Sequence, residues 1–77
     1  MVKTTLNLIE QEKVCVIDSL FDLKQDLHKR LIEMGFVTGA KISVIKNKKR
    51  AKIMLISIRG YLLSLDYFIA QRVSVVA

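Results

Sequence analysis

Apolar residues in the stretch 22–45 follow a helical spacing that gives way to a strand spacing after two glycines. The helical part rests on four side chains at intervals of four, four and three residues, Leu23, Leu27, Leu31 and Met34. Asp22 and Gln25 stand where a helix N-cap and its capping-box partner are expected. Gly35 directly follows the periodic residues and predicts a left-handed C-cap, and Gly39 predicts a second bend. We therefore predict one helix between Asp22 and Gly35, followed by a strand.

Short runs rich in β-branched residues on both sides of the helix predict five or six strands. The predicted extended segments are residues 4–9, 13–17, 41–46, 52–59, 61–65 and 72–77. In the first segment Leu6 and Leu8 are expected on one side. The second is expected to have both faces covered, and the fourth to be the central strand. Asn47–Arg50 is the predicted hairpin turn, Gly60 a break and Asp66–Gln71 a single helical turn.

The length of the chain and the number of its elements together predict the fold. A chain of 77 residues has room for one domain, which we place at residues 1–77. A single sheet of short apolar strands needs both faces covered, and one helix cannot cover both. Curling the sheet into a small barrel, with the helix closing one end, buries the apolar side chains and removes exposed strand edges. The predicted fold is therefore mostly β with one helix.

Charge and hydropathy narrow the classes of partner. The net charge of +6 favours an anionic partner, which can be nucleic acid, anionic lipid or an acidic protein face. Hydrophobic residues make up 52% of the chain, but no apolar run reaches the ~18 residues of a membrane span. The N-terminal residues lack the pattern of a signal peptide, and a single cysteine fits a reducing cytosol. We expect a cytoplasmic protein that does not span the membrane.

Few residues in this chain could carry chemistry. Cys15 lies in an apolar strand with no histidine near it in sequence, which predicts an inert buried thiol. His28, the only histidine, lies at the margin of the apolar helix face, and no CxxC, HxH or HxxxH spacing is present. A phosphate-binding loop of the GxxxxGK[ST] type is also missing from the sequence. We predict a binding module without catalytic residues, metal, cofactor or small-molecule substrate.

Five basic residues concentrate around the predicted hairpin turn, Lys46, Lys48, Lys49, Arg50 and Lys52. They form either a solvated turn that protects a strand edge from aggregation or a contact for an anionic partner. Ile32 points away from the apolar face of the helix. Either the barrel wraps further round the helix than expected, or Ile32 contacts a partner. We take these six residues as the candidate partner surface.

Two blocks of the chain resemble a known family. The first block consists of Arg30, Leu31, Gly35 and Phe36, followed after a bend by Gly39. The second consists of Arg59, Gly60 and Tyr61, followed by Leu63 and Leu65. In this order and at this chain length, the two blocks resemble the family of ferrous iron transport protein A (FeoA).

The resemblance implies an SH3-like barrel that acts in the cytoplasm as a non-enzymatic adaptor. Its implied partner is the cytoplasmic part of FeoB, a large membrane transporter that moves ferrous iron inward, and the family fold has no obligatory metal site. The chain departs from the family at Thr38, where a proline is usual. It also departs at Asn47–Arg50, which replaces a Gly-Asp-Pro-like loop, so contacts made by that loop do not carry over.

Two alternatives remain open from the sequence. Iron-dependent repressors carry a similar SH3-like domain, so the chain could be a module linked to nucleic acid or to a metal-dependent transcriptional regulator through its basic hairpin. Against this, a chain with one helix has no helix-turn-helix to read a major groove, and the basic turn has no aromatic residue for base stacking. The third reading is a stand-alone barrel that binds a ligand or associates with itself.

Overall fold

The computed structural model describes residues 2–77, which fold into one antiparallel sheet with two helices. The strands are β1 Lys3–Thr5, β2 Val14–Leu20, β3 Lys41–Lys48, β4 Ile53–Ile58, β5 Tyr61–Asp66 and β6 Val73–Val76. The helices are α1 Gln25–Glu33 and the short α2 Tyr67–Ala70, and a 3₁₀ turn spans Leu6–Leu8. The strand order in the sheet is β1-β6-β2-β3-β4-β5. The predicted fold class, mostly β with five or six short strands, is confirmed.

The sheet surrounds a single core but is not closed by hydrogen bonds. Its largest fully buried side chains are Leu6, Cys15, Ile17, Phe36, Ile42, Val44, Met54, Ile56, Ile58, Val73 and Val75. Strands β1 and β5 are the two ends of the sheet, and no strand pairing joins them among residues 2–77. The predicted closure into a barrel is therefore not confirmed. No helix in this described part of the chain is long and apolar enough to cross a bilayer.

The side chain of Asn47 in β3 ties together the segments that lie next to the two sheet ends. Its Nδ2 donates hydrogen bonds to the backbone oxygens of Asn7 at 3.0 Å and Ile9 at 2.8 Å. Its Oδ1 accepts a hydrogen bond from the hydroxyl of Tyr67. Asn7 follows β1 and Tyr67 follows β5. One half-buried amide therefore connects the segments after both end strands to β3.

The hairpin turn between β3 and β4 lies two residues later than predicted. β3 continues to Lys48, which pairs with Ile53, so the turn is residues 49–52 and the prediction of Asn47–Arg50 was wrong. The register shifts between Val44 and Lys46, which places one extra residue in β3. Because Asn47 is held by its hydrogen bonds to the N-terminal segment, it belongs to the strand and not to the turn.

Two further predictions about the strands were wrong. Residues Leu6–Leu8 form a 3₁₀ turn, so Leu6 is fully buried while Leu8 is 63% exposed, and the two do not share a side. Only one face of β2 is buried, and not both as predicted. Cys15 and Ile17 are buried, but Val14 is exposed. By contrast, the single helical turn after β5 is present as α2. The oxygen Oδ1 of its N-cap, Asp66, accepts a hydrogen bond from the N–H group of Ile69, the third residue of α2, at 3.0 Å.

Helix α1 begins later than predicted and without a side-chain cap. Its N-cap is Lys24, which makes no capping hydrogen bond. Asp22 adopts a positive φ of 54°, its backbone oxygen accepts a hydrogen bond from Arg72 Nε at 3.0 Å, and its carboxylate lies 3.6 Å from the same guanidinium. The predicted capping box between Asp22 and Gln25 is therefore wrong, because Arg72 holds Asp22 outside the helix.

The apolar face and the end of α1 are as predicted. Leu31 is buried, and three partly buried side chains pack beside it on the core, Leu23, Leu27 and Met34. Gly35 has a φ of 104°, and its N–H donates to Ile32 O at 3.0 Å. The N–H of Phe36 donates to Leu31 O at 3.0 Å, and both side chains are buried. This is the hydrogen-bond pattern of a Schellman motif with its apolar contact.

Candidate partner-binding surface

The five predicted basic residues lie together at one end of the β3–β4 hairpin. Lys46 and Lys48 are on β3, and Lys49, Arg50 and Lys52 are in the turn; all five are exposed. We call these five residues the basic tip. Lys52 has a φ of 56°, which lets a two-strand hairpin reverse over this short turn. A bulge at residue 45 moves the register by one, so both β3 lysines point out of the core while Asn47 between them points in.

One member of the basic tip is paired and the others are not. Lys49 Nζ donates to Glu10 Oε1 at 2.8 Å, and this hydrogen bond with its opposite charge raises the pKa of Lys49 above its usual value. Both side chains of that pair are well exposed, so it adds little to stability. Within residues 2–77, the other four cations have no carboxylate within 4.0 Å. The tip therefore carries uncompensated positive charge.

Apolar side chains adjoin the basic tip on the outside of the sheet. Lys48 pairs with Ile53 and Lys46 pairs with Leu55, and both apolar residues share the outward face with the lysines. Ile53 is 40% exposed and Leu55 is half-buried. An apolar patch bordered by cations suits an acidic protein surface with an apolar centre. The lysine pattern was visible in the sequence, but the apolar residues beside it depend on strand register.

Ile32, the sixth candidate, is exposed but lies away from the basic tip. It is on the last turn of α1, next to Gly35, and Arg59 packs over Gly35. Arg59 follows the last residue of β4, whereas the basic tip precedes its first residue, Ile53. At ~3.3 Å per residue the length of β4 separates these ends by roughly 20 Å. The structure therefore does not bring Ile32 together with the lysines into one patch.

The two family-like blocks meet at the C-terminal end of α1. A Cβ added to Gly35 would lie 2.3 Å from Arg59 Cδ, so the Arg59 side chain crosses directly over this glycine. Arg59 and Gly60 have φ values of 50° and 84° and form the two-residue turn between β4 and β5. Near this junction Phe36 is buried, whereas Tyr61 is exposed. Most of the motif thus has a structural role: it fixes where the helix ends against the sheet.

A groove that the sequence did not reveal lies between the start of α1 and α2. It has a volume of about 680 Å³ and is lined largely by Leu23, Leu27 and Phe68, with Arg72 beside them. The guanidinium of Arg72 lies 4.0 Å from the centroid of the Phe68 ring and donates a hydrogen bond to Phe68 O at 2.8 Å. Phe68 remains 56% exposed. In the sequence, only the spacing of Phe68 and Arg72 on one short segment pointed to this groove. The hydrogen bond from Arg72 to Asp22 depends on the fold.

The residues considered for chemistry are placed where they cannot act together. Cys15 is buried, and this burial raises the pKa of its thiol to about 11, so it is a poor nucleophile at neutral pH. His28 is exposed on α1. Among residues 2–77 no three metal-binding side chains cluster.

Comparisons with known proteins identify the family of this chain. A family model for the FeoA domain matches residues 4–77. A search of curated proteins finds no match. Among solved structures, FeoA of Stenotrophomonas maltophilia complexed with zinc is 26% identical with a TM-score of 0.83, and the alignment covers 95% of this chain and 89% of that one. That protein is described as a procaryotic SH3 domain protein and a candidate activating factor of ferrous iron transport.

Two other structures show how widely the fold is used. An iron uptake regulatory protein FeoA has a TM-score of 0.83 at 20% identity, covering 99% of this chain and 97% of that one. A manganese-dependent transcriptional repressor bound to manganese has a TM-score of 0.89 at 15% identity, covering all of this chain but 37% of the repressor. The predicted SH3-like fold is confirmed. Because the family model spans nearly the whole sequence, this chain belongs to the FeoA family.

Proposed function

We propose that this protein is a cytoplasmic accessory factor of ferrous iron uptake that binds the cytoplasmic part of a FeoB-like membrane transporter. The observation that carries the proposal is the match of the FeoA domain over residues 4–77. An accessory role also suits a chain whose thiol is buried and whose charge is on its surface. Its action would be to bind one arrangement of the transporter more tightly than the others and thereby favour it.

The contact surface that we propose is the basic tip together with Ile53. Four of its cations have no acidic neighbour in the described part of the chain, so they are free to meet carboxylates on a partner. Cations at the rim of an interface mainly speed association and orient the partner, while the apolar centre supplies affinity. Ile32 would take part only if the partner extends along the domain, and we treat it as a separate contact.

The function is tested by measuring uptake of radiolabelled ferrous iron in cells of the source organism that lack this gene. We expect uptake to fall and to be restored by the native chain. The double variant Lys46→Glu/Lys48→Glu should restore little. The control Lys29→Glu, which alters an exposed helix lysine outside the basic tip, should restore it fully. Unchanged uptake in the deletion strain would overturn the function, whereas full restoration by the double variant would overturn only the surface.

A second candidate function is supported by the fold shared with manganese-dependent repressors. In this reading the basic tip would contact phosphates of nucleic acid. Contacts of this kind weaken steeply with salt, because each neutralised phosphate releases counterions. Filter binding to duplex DNA at about 50 mM and about 200 mM salt separates the two functions. Salt-sensitive binding that is lost in Lys46→Glu/Lys48→Glu would favour this alternative, and no binding at low salt would eliminate it.

A further inference from the structure

Strand β5 has an open edge, and the register identifies the backbone groups that are free. The strand pairs only with β4. The N–H of Tyr67 donates to Lys52 O at 2.9 Å, and hydrogen-bonded positions alternate from there along an antiparallel ladder. Tyr61, Leu63 and Leu65 therefore bond to β4. The N–H and C=O groups of Leu62 and Ser64 point away from the sheet.

No strand in the described part of the chain pairs with this edge. No backbone hydrogen bond among residues 2–77 reaches Leu62 or Ser64 from outside the β4–β5 ladder. Leu62 and Tyr61 are 67% and 65% exposed. Proteins usually protect such an edge with charged side chains, proline, a bulge or a very short strand. The only charged residue of YLLSLD is Asp66, at the last position, where its carboxylate caps α2. The opposite edge, β1, has only three residues and begins with Lys3.

We propose that β5 binds the β5 strand of a second copy of this chain, antiparallel and about a two-fold axis at Leu63. In this register Leu62 of one copy faces Ser64 of the other, and each facing pair exchanges two hydrogen bonds. All outward backbone groups of Leu62 and Ser64 in both copies are then satisfied. The two sheets become one continuous sheet across the axis.

Three features favour a second copy as the occupant. The free groups lie symmetrically about Leu63, so the same register satisfies both strands. Side chains stay on matching faces, and Leu63 of one copy meets Leu63 of the other on the inner side. Asp66 of one copy, whose carboxylate also caps α2, lies opposite Gly60 of the other, and Gly60 adjoins the basic residue Arg59 in the β4–β5 turn. The net charge of +6 per copy opposes pairing, so we expect a weak dimer.

Sedimentation equilibrium of the purified chain over about 10 μM to about 1 mM tests the dimer, because this range brackets a weak contact. We expect the mass to rise from 8.8 kDa towards twice that value. Ser64→Pro should remain monomeric, because proline removes the outward N–H while the bonds to β4 do not use it. The matched control Ser64→Thr keeps that N–H and should dimerise like the native chain.

Amide hydrogen exchange at low and high concentration identifies the edge directly. The amides of Leu62 and Ser64 should exchange at least several-fold more slowly at high concentration, while those of Leu63 and Leu65 remain protected throughout. If Ser64→Pro loses that protection of Leu63 and Leu65, Leu62→Lys replaces it as the variant that blocks the edge. A constant monomer mass in the native chain, or a dimer that forms equally in the edge variants, would overturn the proposal. Neither result bears on the transport function, which rests on other residues.

Discussion

Gly35 ends helix α1 and lies directly under the side chain of Arg59, which follows strand β4. Its φ of 104° is rarely adopted by residues with a Cβ, and an added Cβ would meet Arg59 Cδ at 2.3 Å. We predict that Gly35→Ala lowers the free energy of unfolding by about 1–3 kcal/mol, measured by urea denaturation. Gly39→Ala is the matched control, because Gly39 also has a positive φ but has nothing within 4 Å. Equal losses in the two variants would show that the contact with Arg59 is unimportant.

We predict that the buried thiol of Cys15 makes the free energy of unfolding depend on pH. Burial raises the pKa of its thiol to about 11 from an ordinary 9.0, so the folded state holds the proton more tightly than the unfolded state. Its contribution is therefore fully present below pH 9 and is lost as the pH rises towards 11. Between these pH values the free energy of unfolding should fall more steeply for the native chain than for Cys15→Ala. Parallel curves would contradict the buried thiol.

Single residues differ in how far the sequence could place them. Gly35 ends a periodic run and Cys15 lies in an apolar strand, so local pattern predicts a left-handed turn at the first and burial of the second. Both the turn and the burial were confirmed. Asp22 has the residue type and the position in the sequence that are expected of a helix N-cap. Its actual partner is Arg72, fifty residues further along, and no local rule anticipates that competition.

At the scale of elements, the Asn47 side chain is the clearest test of how the ends of the sheet are held. Asn47→Ala leaves the oxygens of Asn7 and Ile9 and the Tyr67 hydroxyl without this partner. We predict a loss of roughly 2–3 kcal/mol in the free energy of unfolding, at about 1 kcal/mol for each hydrogen bond. Tyr67→Phe, which removes one of the three bonds, should lose about a third as much.

The control for this prediction is the neighbouring Lys48→Ala, which changes an exposed side chain of the same strand and should shift stability by less than about 0.5 kcal/mol. Asn47→Asp should be at least as harmful as alanine, because a carboxylate cannot donate to the two backbone oxygens. If Asn47→Ala unfolds at the same urea concentration as Lys48→Ala, Asn47 does not hold these segments together.

Elements were predictable where periodicity was strong and unpredictable where long-range contacts decide. The apolar face of α1, the strands β3 to β6 and the turn α2 follow from spacing, because side-chain alternation reports directly on burial. The hairpin turn was predicted too early because asparagine is common in turns. The amide of Asn47 instead donates hydrogen bonds to the N-terminal segment, which keeps this residue in β3. The 3₁₀ turn at Leu6–Leu8 was missed because two leucines at a spacing of two mimic a strand.

At the scale of the whole molecule, the sequence predicted the charge of the candidate surface but not its shape. The basic tip was visible as a cluster of lysines and an arginine. Its apolar neighbour Ile53, and the distance of Ile32 from it, depend on strand register and on where α1 ends. The open edge of β5 depends on the sheet not closing, whereas the sequence favoured a closed barrel. The groove beside Phe68 depends on how the start of α1 lies against α2.

The central claim is that the outer surface at the basic tip binds the transporter. It is tested most directly by calorimetric titration of the purified cytoplasmic part of the FeoB-like transporter with this chain. We expect saturable binding that weakens at least about tenfold, or about 1.4 kcal/mol, in Lys46→Glu/Lys48→Glu and stays within about twofold in Lys29→Glu. Absence of binding by the native chain, or equal affinity in the two variants, would contradict the account.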